Sequence, residues 1–163
     1  MDMSETAKHR PLFLPYCIGN GLDIGYGGNP ITETAITLDQ ADRYSFEGDR
    51  PQNLTADAAS LYMFADNALD YVYSSHCIED FRETAEVLRE WIRIIKSGGF
   101  LCLLFPDEQV YRAKSKTPNI AHVYDGFGMG FVIDRLPGNV EIVISMELFE
   151  NDDYNCAMVL QKC

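Results

Sequence analysis

Short apolar runs separated by polar stretches make up most of the chain, and one segment carries a clear helical period. Phe81, Ala85, Leu88, Trp91, Ile92 and Ile95 fall on one helix face, which predicts a helix from about Phe81 to Lys96, with Asp80 to cap its start and Gly98 to end it. The other apolar runs have strand length: Leu22 to Ile24, Ala35 to Leu38, Leu54 to Ala56, Leu69 to Ser75, Phe100 to Phe105, Val140 to Met146 and Asn155 to Leu160. Strand, amphipathic helix and strand between Leu69 and Phe105 make a crossover in a parallel sheet. Asn151, Asp152 and Asp153 supply a hairpin turn, so the last pair of strands reads as antiparallel. Phe127 to Leu136 is a short helix weakened by Gly128 and Gly130. Arg43 to Gln52 reads as a loop or poor helix. Met1 to about Arg10 reads as a mobile tail, and Pro11 to Cys17 as an apolar stretch that packs across the sheet or covers a ligand. The fold class is α/β, a doubly wound Rossmann-like sheet, mostly parallel with an antiparallel last strand. At 163 residues it is expected to be a single domain.

The first strand ends in glycines: Gly21-Leu22-Asp23-Ile24-Gly25-Tyr26-Gly27-Gly28. Glycines at a strand end let the backbone turn with positive φ and approach a ligand closely, and open α/β sheets bind ligands beyond the carboxyl ends of their strands. Gly25-x-Gly27 is half of a dinucleotide fingerprint, but Pro30 holds the third glycine position, which disfavours a nicotinamide or flavin site. Asp23 is an acid inside a strand and needs partners, either the glycine loop or a ligand ammonium. Asp39 sits at the tip of the second strand, where nucleoside-binding folds hold ribose hydroxyls and where Asp is also a common turn residue.

Charge narrows the partners. A formal net charge of −12 repels phosphate backbones and anionic membranes and suits a neutral or cationic small ligand. Five cysteines without a C-x-x-C pair fit reduced thiols in a cytoplasmic protein and show no metal site. Pro11 and Pro15 interrupt the apolar stretch near the start, so neither a signal peptide nor a membrane span is expected.

Four ordered motifs together resemble a class I S-adenosylmethionine-dependent methyltransferase, from about Cys17 to Lys162. Leu22-Asp23-Ile24-Gly25-Tyr26-Gly27 is similar to the family's "LDIGCG" motif. Ala56-Asp57-Ala58, followed by Phe64 to Asp70, is similar to its third-strand end and fourth-strand entry. Ser74-Ser75-His76-Cys77-Ile78-Glu79-Asp80 is similar to its "SSHVLEH" turn, and Leu88 to Gly99 to its "LREWxRVLKPGG" helix end. The resemblance implies S-adenosylmethionine as cofactor. Asp23, Gly25, Tyr26 and Gly27 would surround its methionine portion, and Asp39 and Gln40 would hold the ribose. Asp57 and the Ala58 amide would read the adenine, and Ser74 and Ser75 would line the methionine end.

The same resemblance implies shortened helices after strands 1 and 2, because only a few residues separate Gly28 from the second strand and a helical crossover needs about a dozen. Apolar sheet left uncovered by them points to a homodimer. Asp80 stands where the family's turn has histidine. His76, at the end of the fourth strand, and His122, in the region that carries acceptor recognition in the family, are the candidate catalytic residues. The implied reaction is methylation of a small molecule or sugar-like acceptor, oxygen ahead of nitrogen. The alternative is a non-catalytic cofactor-binding or interaction module with the same fold.

Overall fold

A computed structural model describes residues 4–41, 52–115, 117, 119–151 and 153–163. Among these, strands β1 (Gly21–Ile24), β2 (Ile36–Asp39), β3 (Leu54–Thr55), β4 (Leu69–Ser75), β5 (Ile95–Pro106), β6 (Val140–Leu148) and β7 (Asn155–Lys162) form one sheet in the order β3-β2-β1-β4-β5-β7-β6. The first five pair in parallel, and β7 inserts antiparallel between β5 and β6. This is the doubly wound α/β arrangement the apolar runs predict. The central strands are buried on both faces, which is why they read as apolar runs without alternation.

One face packs on helix α2 (Thr84–Arg93). Val87, Leu88, Trp91 and Ile92 enter a core with Leu22, Val72, Leu101, Leu103 and Met158. The helix is shorter than its apolar period suggests. Ile78–Asp80 is a separate 3-10 turn, so Asp80 does not cap α2, and Glu83 precedes it without a side-chain hydrogen bond. At the other end Ile95 to Gly99 already belongs to β5, and Gly98 turns within that strand at φ 80°.

The opposite face differs from expectation. Residues 25–35, between β1 and β2, contain no helix. The chain's own start fills that place: residues 5–10, read as a mobile tail, join Pro11 to Phe13, from the stretch read as packing across the sheet or covering a ligand, in helix α1 (Glu5–Phe13), capped by the Ser4 hydroxyl, which accepts from Ala7 N–H at 3.2 Å. Phe13 is fully buried, edge-on to Tyr73 at 5.3 Å, in a second core with Ile31, Ala35, Tyr71 and Cys102. Arg10 holds the loop below through Asn29 Oδ1 at 2.5 Å and the Pro30 carbonyl at 3.0 Å. The sheet face thought to need a second copy of the chain is covered from within. The shortened segment after β2 lies mostly outside the described residues. Helices α3 (Glu108–Lys114) and α4 (Met129–Ile133) follow β5, the latter within the stretch read as a short helix.

Candidate active site

The parallel strands bring Ile24, Asp39, Thr55, Ser75 and Pro106 to one edge of the sheet, and β7 starts there, with Asn155 opposite Pro106. Past β1 the backbone turns left-handed at Gly25 (φ 68°) and Gly27 (φ 58°). A Cβ on Gly25 would lie 2.8 Å from the Cys77 Cβ, so the close approach of the two loops requires glycine. Gly27 N–H donates to Asp39 Oδ2 at 3.1 Å, and Gln40 N–H to Oδ1 at 2.8 Å. Each oxygen keeps acceptor capacity for a further partner.

Gly25, Gly27, Asp39, Gln40, His76 and His122 line one cavity of about 320 Å³. It adjoins a depression formed by Gln40, Thr55, Ala56 and Asp57 on the β3 side. On the α1 side it adjoins another formed by Gly25, Tyr26, Gly27, Asn29, Ser75 and His76. Shared Gln40, Gly25, Gly27 and His76 join the three into a track across the strand ends. Asp57 braces its own turn, its Oδ1 accepting from Ala59 N–H at 2.9 Å.

Three sequence-expected residues stand behind the wall rather than on it. Asp23, 1% exposed, accepts from Ile31 N–H at 2.6 Å, and burial pushes its carboxyl up to about 8. It serves the glycine loop, one of the two partners expected for it. The Ser74 hydroxyl donates to the Ile24 carbonyl at 3.0 Å, and the Ala58 carbonyl accepts the Trp91 indole N–H at 2.8 Å.

The two histidines meet across the other end of the cavity. His76 takes a left-handed backbone (φ 52°), and its Nε2 lies 2.8 Å from Asn155 Oδ1. The Asn155 amide is oriented by Glu5, whose Oε2 accepts from Nδ2 at 2.8 Å. His76 therefore donates through Nε2–H. Burial lowers its pKa, leaving Nδ1 as an acceptor 3.5 Å from Glu79 Oε1. His122 Nδ1 lies 2.6 Å from Glu108 Oε2, and Arg112 Nε holds the other oxygen of that buried carboxylate at 2.5 Å. An arginine-paired carboxylate accepts, so His122 donates through Nδ1–H and turns Nε2 toward Glu79 Oε1 at 3.7 Å. Tyr111 and Tyr154 complete the wall, with ring centroids 4.9 Å apart and Tyr111 5.2 Å from His122.

Sequence reasoning missed Glu5, Glu79, Glu108, Tyr154 and Asn155. Glu79 lay in the quoted turn motif, and Glu108 stands four residues before Arg112, a helical ion-pair spacing. Nothing local marked the others. A cavity of about 360 Å³ at the opposite end of the sheet contains Arg93 and Lys162, but Arg93 pairs with Asp66 and Glu90, and Lys162 donates to Asn67 and two carbonyls.

The family model of the methyltransferase domain matches residues 22–103, just over half of the chain. The chain belongs to the methyltransferase domain family. The class I methyltransferase identity expected from the four motifs therefore stands, and the matched stretch contains all four of them. Solved structures share the fold. A Pyrococcus horikoshii protein is 20% identical with a TM-score of 0.74, over 98% of this chain and 90% of that one. An S-adenosylmethionine-dependent methyltransferase from Archaeoglobus fulgidus is 20% identical, TM-score 0.66, over 96% and 92%. The putative methyltransferase complexed with the Trm112 methyltransferase activator of Haloferax volcanii is 16% identical, TM-score 0.65, over 96% and 88%. No curated protein matches the chain. Among the described residues, no helix is long and apolar enough to cross a membrane.

Proposed function

We propose that this methyltransferase transfers a methyl group from S-adenosylmethionine to a small acceptor seated between His76, His122 and Tyr111. The observation that carries the reading is the track itself, which runs from Asp57 past Asp39 and the glycine loop to a carboxylate-held histidine. The residues present fit the cofactor. Asp39, fixed by two amides, has oxygens left for a vicinal diol; Asp57 accepts an amino group; and the glycine turn leaves room for the amino-acid portion. Asp23, Ser74 and Ala58 act from behind by holding β1, the loop and the turn in place.

The cofactor supplies an activated methyl group, so the chain must align the acceptor, exclude water and receive a proton. His122 Nε2 is the proton acceptor, and Glu108 fixes its tautomer and stabilises the imidazolium that forms. His76, tied to Asn155, shapes the wall beside the methionine end. A base of this kind serves a hydroxyl or an amine, so the oxygen preference and the sugar-like acceptor rest on family resemblance alone. The cavity walls carry no added support for either. The module reading arises from the shortened helices expected after strands 1 and 2, and α1 packs on the sheet face beside the first of these gaps.

Release of S-adenosylhomocysteine, measured with a mixed set of small hydroxyl and amine acceptors, tests this function. Turnover is expected with at least one acceptor, and His122→Gln should lower it by about 10²-fold or more with cofactor affinity unchanged. Equal turnover by His122→Gln would remove the assigned base, and no turnover with any acceptor would remove the reaction.

A further inference from the structure

Glu79 is the one group in the cavity without an explanation. It is 1% exposed, and among the described residues neither carboxyl oxygen has a hydrogen-bond partner outside Glu79 itself. A buried carboxyl left so is costly, and proteins keep such groups where a ligand completes them. Its surroundings define the missing partner. His76 spends its N–H on Asn155, which leaves its Nδ1 as an acceptor 3.5 Å from Glu79 Oε1, and His122 gives Nδ1–H to Glu108 and presents Nε2 at 3.7 Å from the same oxygen. The Glu79 carboxyl and His76 Nδ1 thus face a space that no lysine or arginine of the described lining enters.

We propose that the acceptor substrate carries a basic amine, bound as its ammonium by Glu79, His76 and His122 and methylated on that nitrogen. The inference rests on the methyltransferase reading of the same cavity and names its substrate class. An ammonium is all donor, and its hydrogen bonds of about 2.9 Å span acceptors spaced this widely. A metal ion binding at about 2.1 Å needs all its ligand atoms within about 4.2 Å of one another. The described group whose ligand atoms all lie within 4.8 Å of one another is Glu5, His9 and Asp153, not this one.

The rest of the wall agrees. Glu5, Asp39 and Asp80 join Glu79 on the lining, and neither lysine nor arginine is among the lining residues described. Hydrogen bonds from His9 and Lys8 outweigh the burial of Glu5 and bring its carboxyl down to about 2, so that wall is anionic at neutral pH. Tyr111 and Tyr154 offer ring faces of the kind that attract a cation. Burial raises the Glu79 carboxyl well above its ordinary range, so the site without an amine stays protonated and avoids an unpaired charge. A hydroxyl has one hydrogen to donate and would leave the other acceptors unmet.

In the reaction the bound ammonium gives one proton to His122 Nε2. The freed nitrogen lone pair forms the new N–C bond as the methyl–sulfur bond breaks, and its electron pair returns to sulfur. The product is the N-methyl ammonium with S-adenosylhomocysteine, and the His122 proton passes to solvent. This replaces the oxygen acceptor that family resemblance favours.

The test is calorimetric titration of phenethylamine and its hydroxyl isostere 2-phenylethanol into protein saturated with S-adenosylhomocysteine, wild type and Glu79→Gln. The amine is expected to bind about tenfold tighter or better than the alcohol, and Glu79→Gln should lose most of that difference while still binding S-adenosylhomocysteine. Equal affinity for the two probes, an amine preference that survives Glu79→Gln, or no binding of either at millimolar concentration would overturn the inference. Failure of S-adenosylhomocysteine itself to bind the wild type would instead show the cofactor reading to be wrong, and the inference would fall with it.

Discussion

Asp23 shows how a motif acid can serve the fold from behind the site. Its carboxyl lies in the sheet with the Ile31 amide as partner, and burial raises it from 3.8 to about 8. Between those values the folded chain holds a proton that the unfolded chain has released, so this residue makes stability fall as pH rises through that window. Asp23→Asn keeps an acceptor for Ile31 and removes the charge. Its melting temperature should match the parent near pH 4 and exceed it by about 4 °C or more near pH 8; parallel profiles across the range would contradict the assignment. The residues that were legible from sequence were those tied to strand ends: Gly25, Gly27, Asp39 and His76 all line the main cavity. Asp23, Ser74 and Ala58 were harder to place, because motif position does not reveal which way a side chain is satisfied. Glu5 and Tyr154 line the cavity, and Asn155 joins Glu5 to His76 behind it, from chain positions about 150 residues apart, a proximity that only the completed sheet creates.

Helix α1 takes the place that a helix between β1 and β2 would occupy. Its sequence, with Pro11 inside it and no apolar stripe, carries little helical signal, so tertiary contacts rather than periodicity hold it. Phe13 against Tyr73, Arg10 on the glycine-loop strap and Glu5 on Asn155 make those contacts. Phe13→Ala should cost about 3 to 5 kcal/mol, seen as a lowered denaturation midpoint, and should weaken cofactor binding because the strap beneath α1 shapes the loop. An unchanged midpoint would show that α1 is not part of the core. Helix α2 gave the opposite experience. Its apolar period was read directly, but its ends were not, since the 3-10 turn at Ile78–Asp80 and the early start of β5 depend on pairing with neighbouring strands.

At the scale of the molecule, the parallel sheet with an inserted antiparallel strand places its ligand-facing loops on one edge, and that edge is acidic in a chain of net charge −12. The field favours a cationic cofactor and a cationic acceptor alike. The doubly wound class and the antiparallel last pair were legible in the sequence, while the replacement of an internal helix by the chain's start was not. The whole account depends on the cofactor lying along the strand ends over Asp39. Calorimetric titration of S-adenosylhomocysteine into the wild type and Asp39→Ala tests this most directly. Micromolar binding by the wild type, weakened about tenfold or more in a variant that keeps its melting temperature, is the predicted result. No binding at millimolar concentration, or equal binding by the variant, would contradict it.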